Sequence, residues 1–94
     1  MRRNKLEMAM EILAALREGP LNRSRLAQRC NINYDRLDEE LDPMKAVGWI
    51  AMTTAGGHDV HSLTQQGLQK YLAYEVLWNE YLRGLKLTTG QEGF

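Results

Sequence analysis

The chain has 94 residues, of which 44% are hydrophobic and 26% are charged, a composition typical of one globular domain rather than a disordered segment. Twelve basic and twelve acidic residues cancel, which excludes a uniformly basic nucleic-acid coat, and the single cysteine excludes a disulfide framework or a Cys-rich zinc site. No apolar run has membrane-spanning length and no secretory signal is recognisable, so we expect a reduced, cytoplasmic protein with no membrane partner.

The zero net charge conceals a polarised distribution. Residues 1–36 contain eight Lys/Arg and four Asp/Glu, a balance of +4, and residues 37–94 contain four and eight, a balance of −4. Because salt screens charges beyond about 10 Å, the basic part can attract a polyanion although the whole chain is neutral.

The sequence predicts two helices in its first thirty residues, and the second of them opens a helix-turn-helix pattern. Apolar residues at helical spacing predict a helix over residues 5–18, which Gly19 and Pro20 terminate. Asn22 is a plausible N-cap for a second helix of about two turns over residues 23–30, whose Arg25 and Arg29 share an exposed face.

A three-residue turn then leads to a third helix that Asn33 would cap. Tyr34, Leu37, Leu41 and Met44 are spaced as one buried stripe. Pro43 falls inside this pattern, and we expect it to kink or break the helix because proline has no backbone N–H.

Two short β-prone runs around Gly56 and Gly57 predict a β-hairpin. A long helix without proline should follow Thr64. We therefore predict a mainly α fold with a small β-hairpin, consisting of a winged helix-turn-helix domain (residues 1–64), a dimerisation helix (65–87) and a flexible tail (88–94).

This order of elements carries a family resemblance. The stretches RRNKLEMAMEILAALREGPLNRSRL, NINYDRLDEEL, VGWI and SLTQQGLQKYL resemble small archaeal winged-helix DNA-binding proteins, which dimerise through a C-terminal helix paired as an antiparallel coiled coil. The run Leu-Thr-x-x-Gly at 63–67 is the most specific part. The resemblance implies a homodimer that binds double-stranded DNA with low sequence specificity, or that regulates transcription.

The third helix departs from a major-groove reader, because it carries five acidic residues, and the wing has no Lys or Arg. We therefore expect phosphate contacts from the second helix and a basic N-terminal arm. The candidate DNA-binding residues are Arg2, Arg3, Lys5, Arg23, Arg25, Arg29, Asn33, Tyr34, Arg36 and His58. Bland alternatives exist: Tyr34 as a core residue, Asn33 as a helix cap, Arg36 paired with Glu40, and His58 as a solvated turn residue.

Apolar and aromatic residues on the long helix recur at spacings of 3 and 4, the pattern of a coiled-coil seam. Leu68 and Leu72 would pack on the domain, leaving the seam for a second copy. The predicted dimer interface is Tyr71, Tyr74, Leu77, Trp78, Tyr81, Leu82 and Leu85.

Catalytic and metal-binding patterns are weak. His58 and His61 are three apart on a strand and so point to opposite faces, and Cys30 falls on a buried face as an inert thiol. We expect no enzyme activity, no cofactor and no metal. The sequence thus predicts a DNA-binding regulator or chromatin-type protein of the nucleoid. The alternative is a winged-helix protein-interaction module whose acidic third helix contacts a protein partner instead of DNA.

Overall fold

The computed structural model describes residues 3–91. Four helices and a three-stranded sheet follow one another along the chain, in an order that confirms the predicted winged helix-turn-helix with a long C-terminal helix. The elements are α1 (Lys5–Arg17), β1 (Leu21–Asn22), α2 (Arg23–Cys30), α3 (Leu37–Ala46), β2 (Ile50–Ala55), β3 (His58–Leu63) and α4 (Gln65–Gln91), with a 3-10 turn, Tyr34–Arg36, before α3.

Local side-chain caps explain where the first two helices begin. Asn4 and Glu7 form a reciprocal capping box at the start of α1, with each side chain bonded to the other residue's backbone N–H. The Asn22 side chain accepts a hydrogen bond from the backbone N–H of Arg25 at 2.8 Å, so the predicted N-cap of α2 is confirmed. At the end of α2, Asn31 adopts the left-handed conformation, which reverses the chain toward α3.

The hairpin prediction is also confirmed. Strands β2 and β3 pair antiparallel from Ile50 opposite Leu63 to Ala55 opposite His58, so the turn consists of Gly56 and Gly57. Both glycines have positive φ angles, as a two-residue turn between twisted strands requires. The pattern missed β1, whose two residues pair with the other edge of β3 and give the order β1-β3-β2. We call the hairpin of β2 and β3 the wing.

The core lies where α1, α2 and α3 meet the base of the wing. Ile12 and Leu13 of α1, Leu26 of α2, and Leu37 and Leu41 of α3 are fully buried. These residues fix the relative positions of the three helices, because a densely packed core tolerates little rearrangement.

Two features of α3 differ from what the sequence predicts. Of the two alternatives expected at Pro43, a kink or a break, the break is wrong: the helix runs through the proline to Ala46, with Leu41 and Met44 buried on either side of it. Pro43 itself is exposed, so water can satisfy the backbone carbonyl that loses its N–H partner. Tyr34 is not part of the buried stripe: its side chain is 48% exposed because it lies in the 3-10 turn, not on the inner face of α3.

Helix α4 leaves the domain. Its 27 residues span about 40 Å at 1.5 Å per residue, and the molecule is 59 Å long but only 28 and 21 Å in its other dimensions. Tyr71 and Tyr74 pack against the core, whereas Leu72 is exposed, so the expected packing of Leu72 on the domain is wrong. The backbone is helical to Gln91, four residues beyond the predicted end, and residues 92–94 of the predicted tail lie outside the described residues.

Candidate nucleic-acid interface

The connection between α2 and α3 is exposed except at Ile32, which is buried in the core. We call residues 31–36 the recognition loop. Asn33 accepts a hydrogen bond from the backbone N–H of Asp35 at 2.8 Å, which confirms it as a cap, here of the 3-10 turn. Tyr34 and Arg36 are exposed at the tip. A surface groove lies on each side of this loop.

The wing-side groove separates the recognition loop from the tip of the wing. It has a volume of about 420 Å³ and is lined by Asn22, Arg23, Ser24, Tyr34, Gly57, His58 and Asp59. The guanidinium of Arg23 lies 4.8 Å from the centre of the Tyr34 ring and 3.2 Å from a carboxylate oxygen of Asp38. A cation over the face of a tyrosine is attracted by the ring, so Arg23 holds Tyr34 at the edge of this groove.

The arm-side groove separates the recognition loop from the start of α1. It measures about 490 Å³ and is lined by Arg3, Lys5, Met8, Asn31, Ile32, Asn33, Arg36 and Glu40. Lys5 and Arg36 present exposed charges there. Seven of the ten predicted DNA-binding residues line one or other of the two grooves. Arg25 and Arg29 lie on the exposed face of α2, and Arg2 lies outside the described residues.

Arg3 is fixed to the domain instead of extending as a free arm. Its guanidinium donates to the backbone carbonyls of Cys30 at 2.7 Å and Asn31 at 3.1 Å, and it pairs with Glu11 at 2.5 Å. These bonds cap the carboxyl end of α2 with a positive charge, where the helix dipole favours one. Arg3 therefore links the start of α1 to the end of α2.

Several of the basic side chains already have an acidic partner. Arg29 pairs with Glu18 at 2.5 Å, and Arg36 pairs with Glu39 at 3.6 Å, not with the expected Glu40. Such exposed pairs contribute little to stability, so a phosphate can replace the carboxylate at small cost. Among residues 3–87, whose side chains are described, Arg25 and Lys5 form no ion pair.

The body of α3 remains acidic on its outer surface. Asp38 and Glu39 are paired with arginines, and Asp42 lies 3.5 Å from the Lys45 ammonium group. Glu40 of α3 and Asp35 of the recognition loop add charge that no ion pair within the described residues neutralises. The cationic surface therefore lies on α2 and the recognition loop rather than along α3.

The predicted seam on α4 is aromatic and exposed beyond the domain. The rings of Tyr74 and Trp78 stack with centroids 6.5 Å apart, and those of Trp78 and Tyr81 with centroids 5.7 Å apart. Leu77, Leu82 and Leu85 are exposed on the same side of the helix. Tyr71 instead makes contacts within its own chain: Arg17 lies over its ring, and its hydroxyl donates to Glu75 at 3.1 Å. Burial, together with this hydrogen bond to Glu75, raises the pKa of Tyr71.

Two buried groups stand apart from this surface. Cys30 is buried, and burial together with the nearby Glu11 carboxylate raises the pKa of its thiol. His61 is 1% exposed, and neither ring nitrogen has a hydrogen-bond partner within the described residues. Burial, together with nearby Lys45 and Arg23, lowers the pKa of His61. The spacing to His58 gave no sign of this, because whether a strand face is buried depends on the tertiary packing.

The described residues contain neither a metal-binding cluster nor a membrane-spanning helix. No group of three or more His, Cys, Asp and Glu side chains there is arranged to hold a metal ion. Of the helices between residues 3 and 91, none combines the length and apolar character needed to cross a membrane.

The chain is similar to known winged helix-turn-helix proteins in sequence pattern and in structure. The family model described as winged helix-turn-helix matches residues 2–85. No curated protein matches the sequence. The DNA-binding protein Sso10a-2 from Sulfolobus solfataricus has a similar structure over 98% of both chains, with a TM-score of 0.70 and 21% identity.

Two further solved structures share the fold. The transcriptional regulator BldR from Sulfolobus solfataricus has a TM-score of 0.69 and 24% identity, over 89% of this chain and 73% of its own. The homodimeric winged helix-turn-helix DNA-binding domain of Mb0332 from Mycobacterium bovis has a TM-score of 0.72 and 17% identity, over 82% and 72%. At these identities the likeness establishes the fold alone.

Proposed function

The chain belongs to the winged helix-turn-helix family, and from this premise we propose that it binds double-stranded DNA as a homodimer, with low sequence specificity, as a regulator or chromatin-type protein. Its similarity to Sso10a-2, BldR and the Mb0332 domain supports the DNA-binding part of the proposal. The sites of contact are argued from this chain's own residues.

The observation that carries the proposal is the position of the cations. Arg25 and Arg29 lie on the outer face of α2, and Lys5 and Arg36 line the arm-side groove. Most hydrogen bonds from proteins to DNA go to phosphate and sugar, and arginine and lysine make many of them. This surface therefore suits the DNA backbone.

Low specificity follows from the charge of α3. In the major groove, a carboxylate can accept hydrogen bonds only from the amino groups of cytosine and adenine, and it repels the flanking phosphates. Asp35, Glu39 and Asp42 would bring such charges to the groove. In this proposal α3 stays shallow, and α2 with the recognition loop contributes most of the affinity.

The homodimer is proposed from α4. The stacked rings of Trp78 and Tyr81 and the exposed Leu85 form an apolar surface that its own domain does not cover. Contiguous exposed apolar surface is typical of an interface, and the 3–4 spacing suits a second helix packed along the first.

The test compares two double variants by fluorescence anisotropy, with a labelled mixed-sequence duplex at low salt. Arg25→Ala with Arg29→Ala should weaken binding by about tenfold or more, since each removes a charged hydrogen bond to phosphate. The matched control, Arg83→Ala with Lys86→Ala, removes the same charge from α4 and should change affinity much less. Equal affinities of the two variants would remove α2 from the interface.

A further inference from the structure

A third groove on the domain has the opposite character to the surface proposed for DNA. It lies between α1 and α3, has a volume of about 330 Å³, and is lined by apolar side chains that include Leu6, Ala9, Met44, Val47 and Trp49. We call it the apolar groove. Leu6 and Val47, on its two sides, are 54% and 53% exposed, which is unusual for large aliphatic residues facing the same depression.

The rim of the apolar groove is acidic on one side. Glu39 and Glu40 of α3 border it, and Lys5 of α1 is the basic residue lining it. Glu39 is held by Arg36, whereas Glu40 forms no ion pair among the residues with described side chains. Two carboxylates beside an apolar floor repel phosphate, so nucleic acid is a poor occupant of this groove.

We propose that the apolar groove is a docking site for a partner protein, which inserts apolar side chains from a short helix and places lysine or arginine against Glu39 and Glu40. Met44, Val47 and Trp49 offer apolar area to bury, and exposed apolar patches rimmed by polar groups are typical of interaction surfaces. The carboxylates select the charge of the partner, because a basic flank is attracted and an acidic one is repelled.

The apolar groove is separate from the surfaces of α2 and α4 proposed for DNA binding and dimerisation. The apolar groove lies on the α1 side of α3, while Arg25 and Arg29 lie on α2 and the aromatic seam lies on α4. A docked partner therefore leaves α2 free for DNA and α4 free for a second copy. Lys5 and Glu40 also line the arm-side groove, so the two grooves meet at these side chains.

The test uses the full chain, isotope-labelled, and a short amphipathic helical peptide of leucine and lysine as the probe. Its control is the same peptide with glutamate in place of lysine. We expect the lysine peptide to shift amide resonances of Leu6, Val47 and Trp49, and the glutamate peptide to bind at least about tenfold more weakly.

Two matched variants locate the site. Val47→Asn places a polar amide on one side of the groove and should weaken binding of the lysine peptide by about tenfold, since burying a polar group without a hydrogen-bond partner is costly. Met52→Asn makes a similar change at an exposed residue of the wing and should leave affinity unchanged. Equal binding of both peptides, equal affinity of both variants, shifts confined to α4, or no binding of the lysine peptide would each overturn the proposal.

Discussion

Gly67 determines how closely α4 approaches the base of the wing. A Cβ atom at this position would overlap the backbone carbonyl oxygen of Trp49 and lie 2.8 Å from a methyl carbon of Leu63. Beside it, Thr64 accepts a hydrogen bond from the Gly67 N–H at 2.9 Å and donates to the Gly48 carbonyl at 2.6 Å. These contacts give the run Leu-Thr-x-x-Gly a physical meaning, because they start α4 in a fixed direction.

A pair of glycine variants tests this contact. Alanine is a better helix former than glycine by about 1 kcal/mol, so Gly84→Ala, with open space around its Cβ position, should raise the melting temperature. Gly67→Ala should lower it, because overlap with backbone cannot be relieved by rotating a side chain. Thermal unfolding followed by circular dichroism distinguishes the two. A rise for both variants would contradict the close approach.

His61 predicts a dependence of stability on pH. Its pKa is lowered in the folded state by burial and by Lys45 and Arg23, so the unfolded chain takes up the proton first. The stability from neutral His61 is complete above the unfolded pKa of about 6.5 and is lost progressively as the pH falls below it. Wild-type protein should therefore melt at a lower temperature at about pH 5 than at about pH 7.

The two histidines provide variant and control for this prediction. His61→Leu replaces the buried imidazole with an apolar side chain that cannot take up a proton, so it should reduce the fall in melting temperature on acidification. His58→Ala removes an exposed histidine of the wing and should retain the wild-type fall. If His61→Leu shows the same acid sensitivity as wild type, another group is responsible.

Among the elements, α4 uses one helical face both to pack on its own domain and to present the surface proposed for a second copy. Near its start, Tyr71 and Tyr74 pack on the domain core, and beyond Glu75 the same stripe continues as the exposed rings of Trp78 and Tyr81. The face that fixes the helix to its own domain thus runs without interruption into the face proposed for a second copy.

Substitutions on opposite sides of α4 test the proposed dimer. Trp78→Glu with Tyr81→Glu would bury charges in the seam and should give monomers, by light scattering at a concentration where wild type is a dimer. Val76→Glu changes an exposed apolar residue on the other side of the helix and should leave the dimer intact. Wild-type protein with the mass of one chain at high concentration would contradict the prediction.

The elements differ in how far the sequence could predict them. Caps and periodicity are local, so α1, α2 and the hairpin follow from residues such as Asn22, Gly56 and Gly57. Strand β1 depends on pairing with β3, forty residues away, and the continuity of α3 through Pro43 depends on burial of its inner face. Tertiary contacts decided these cases, and no local pattern carries them.

The candidate interface shows the same division at the level of side chains. The sequence could place Arg25 and Arg29 on one exposed face, because their spacing of four is a helical repeat. It could not show that Arg3 bonds to the end of α2 or that Arg23 lies over Tyr34, since these contacts join residues from different elements. The positions of the basic side chains along the chain could be predicted from the sequence, but the groups that they contact could not.

In the whole molecule, the basic and acidic residues lie on different surfaces. Lys5, Arg25, Arg29 and Arg36 form the surface proposed for DNA, whereas α3 has an acidic outer face and α4 leads away from the domain. A dimer through α4 would carry two such basic surfaces. Its affinity for DNA would then rest on phosphate contacts, which release counterions and weaken as salt increases.

The salt dependence of duplex binding tests this central claim most directly. We expect wild-type protein to bind mixed-sequence duplex at low salt, log affinity to fall linearly with log salt, and each lost arginine contact to reduce the slope by about one. Arg25→Ala and Arg29→Ala should therefore flatten the line, while the Arg83→Ala control keeps the wild-type slope. No binding to any duplex at low salt, or a slope that the α2 substitutions leave unchanged, would contradict it.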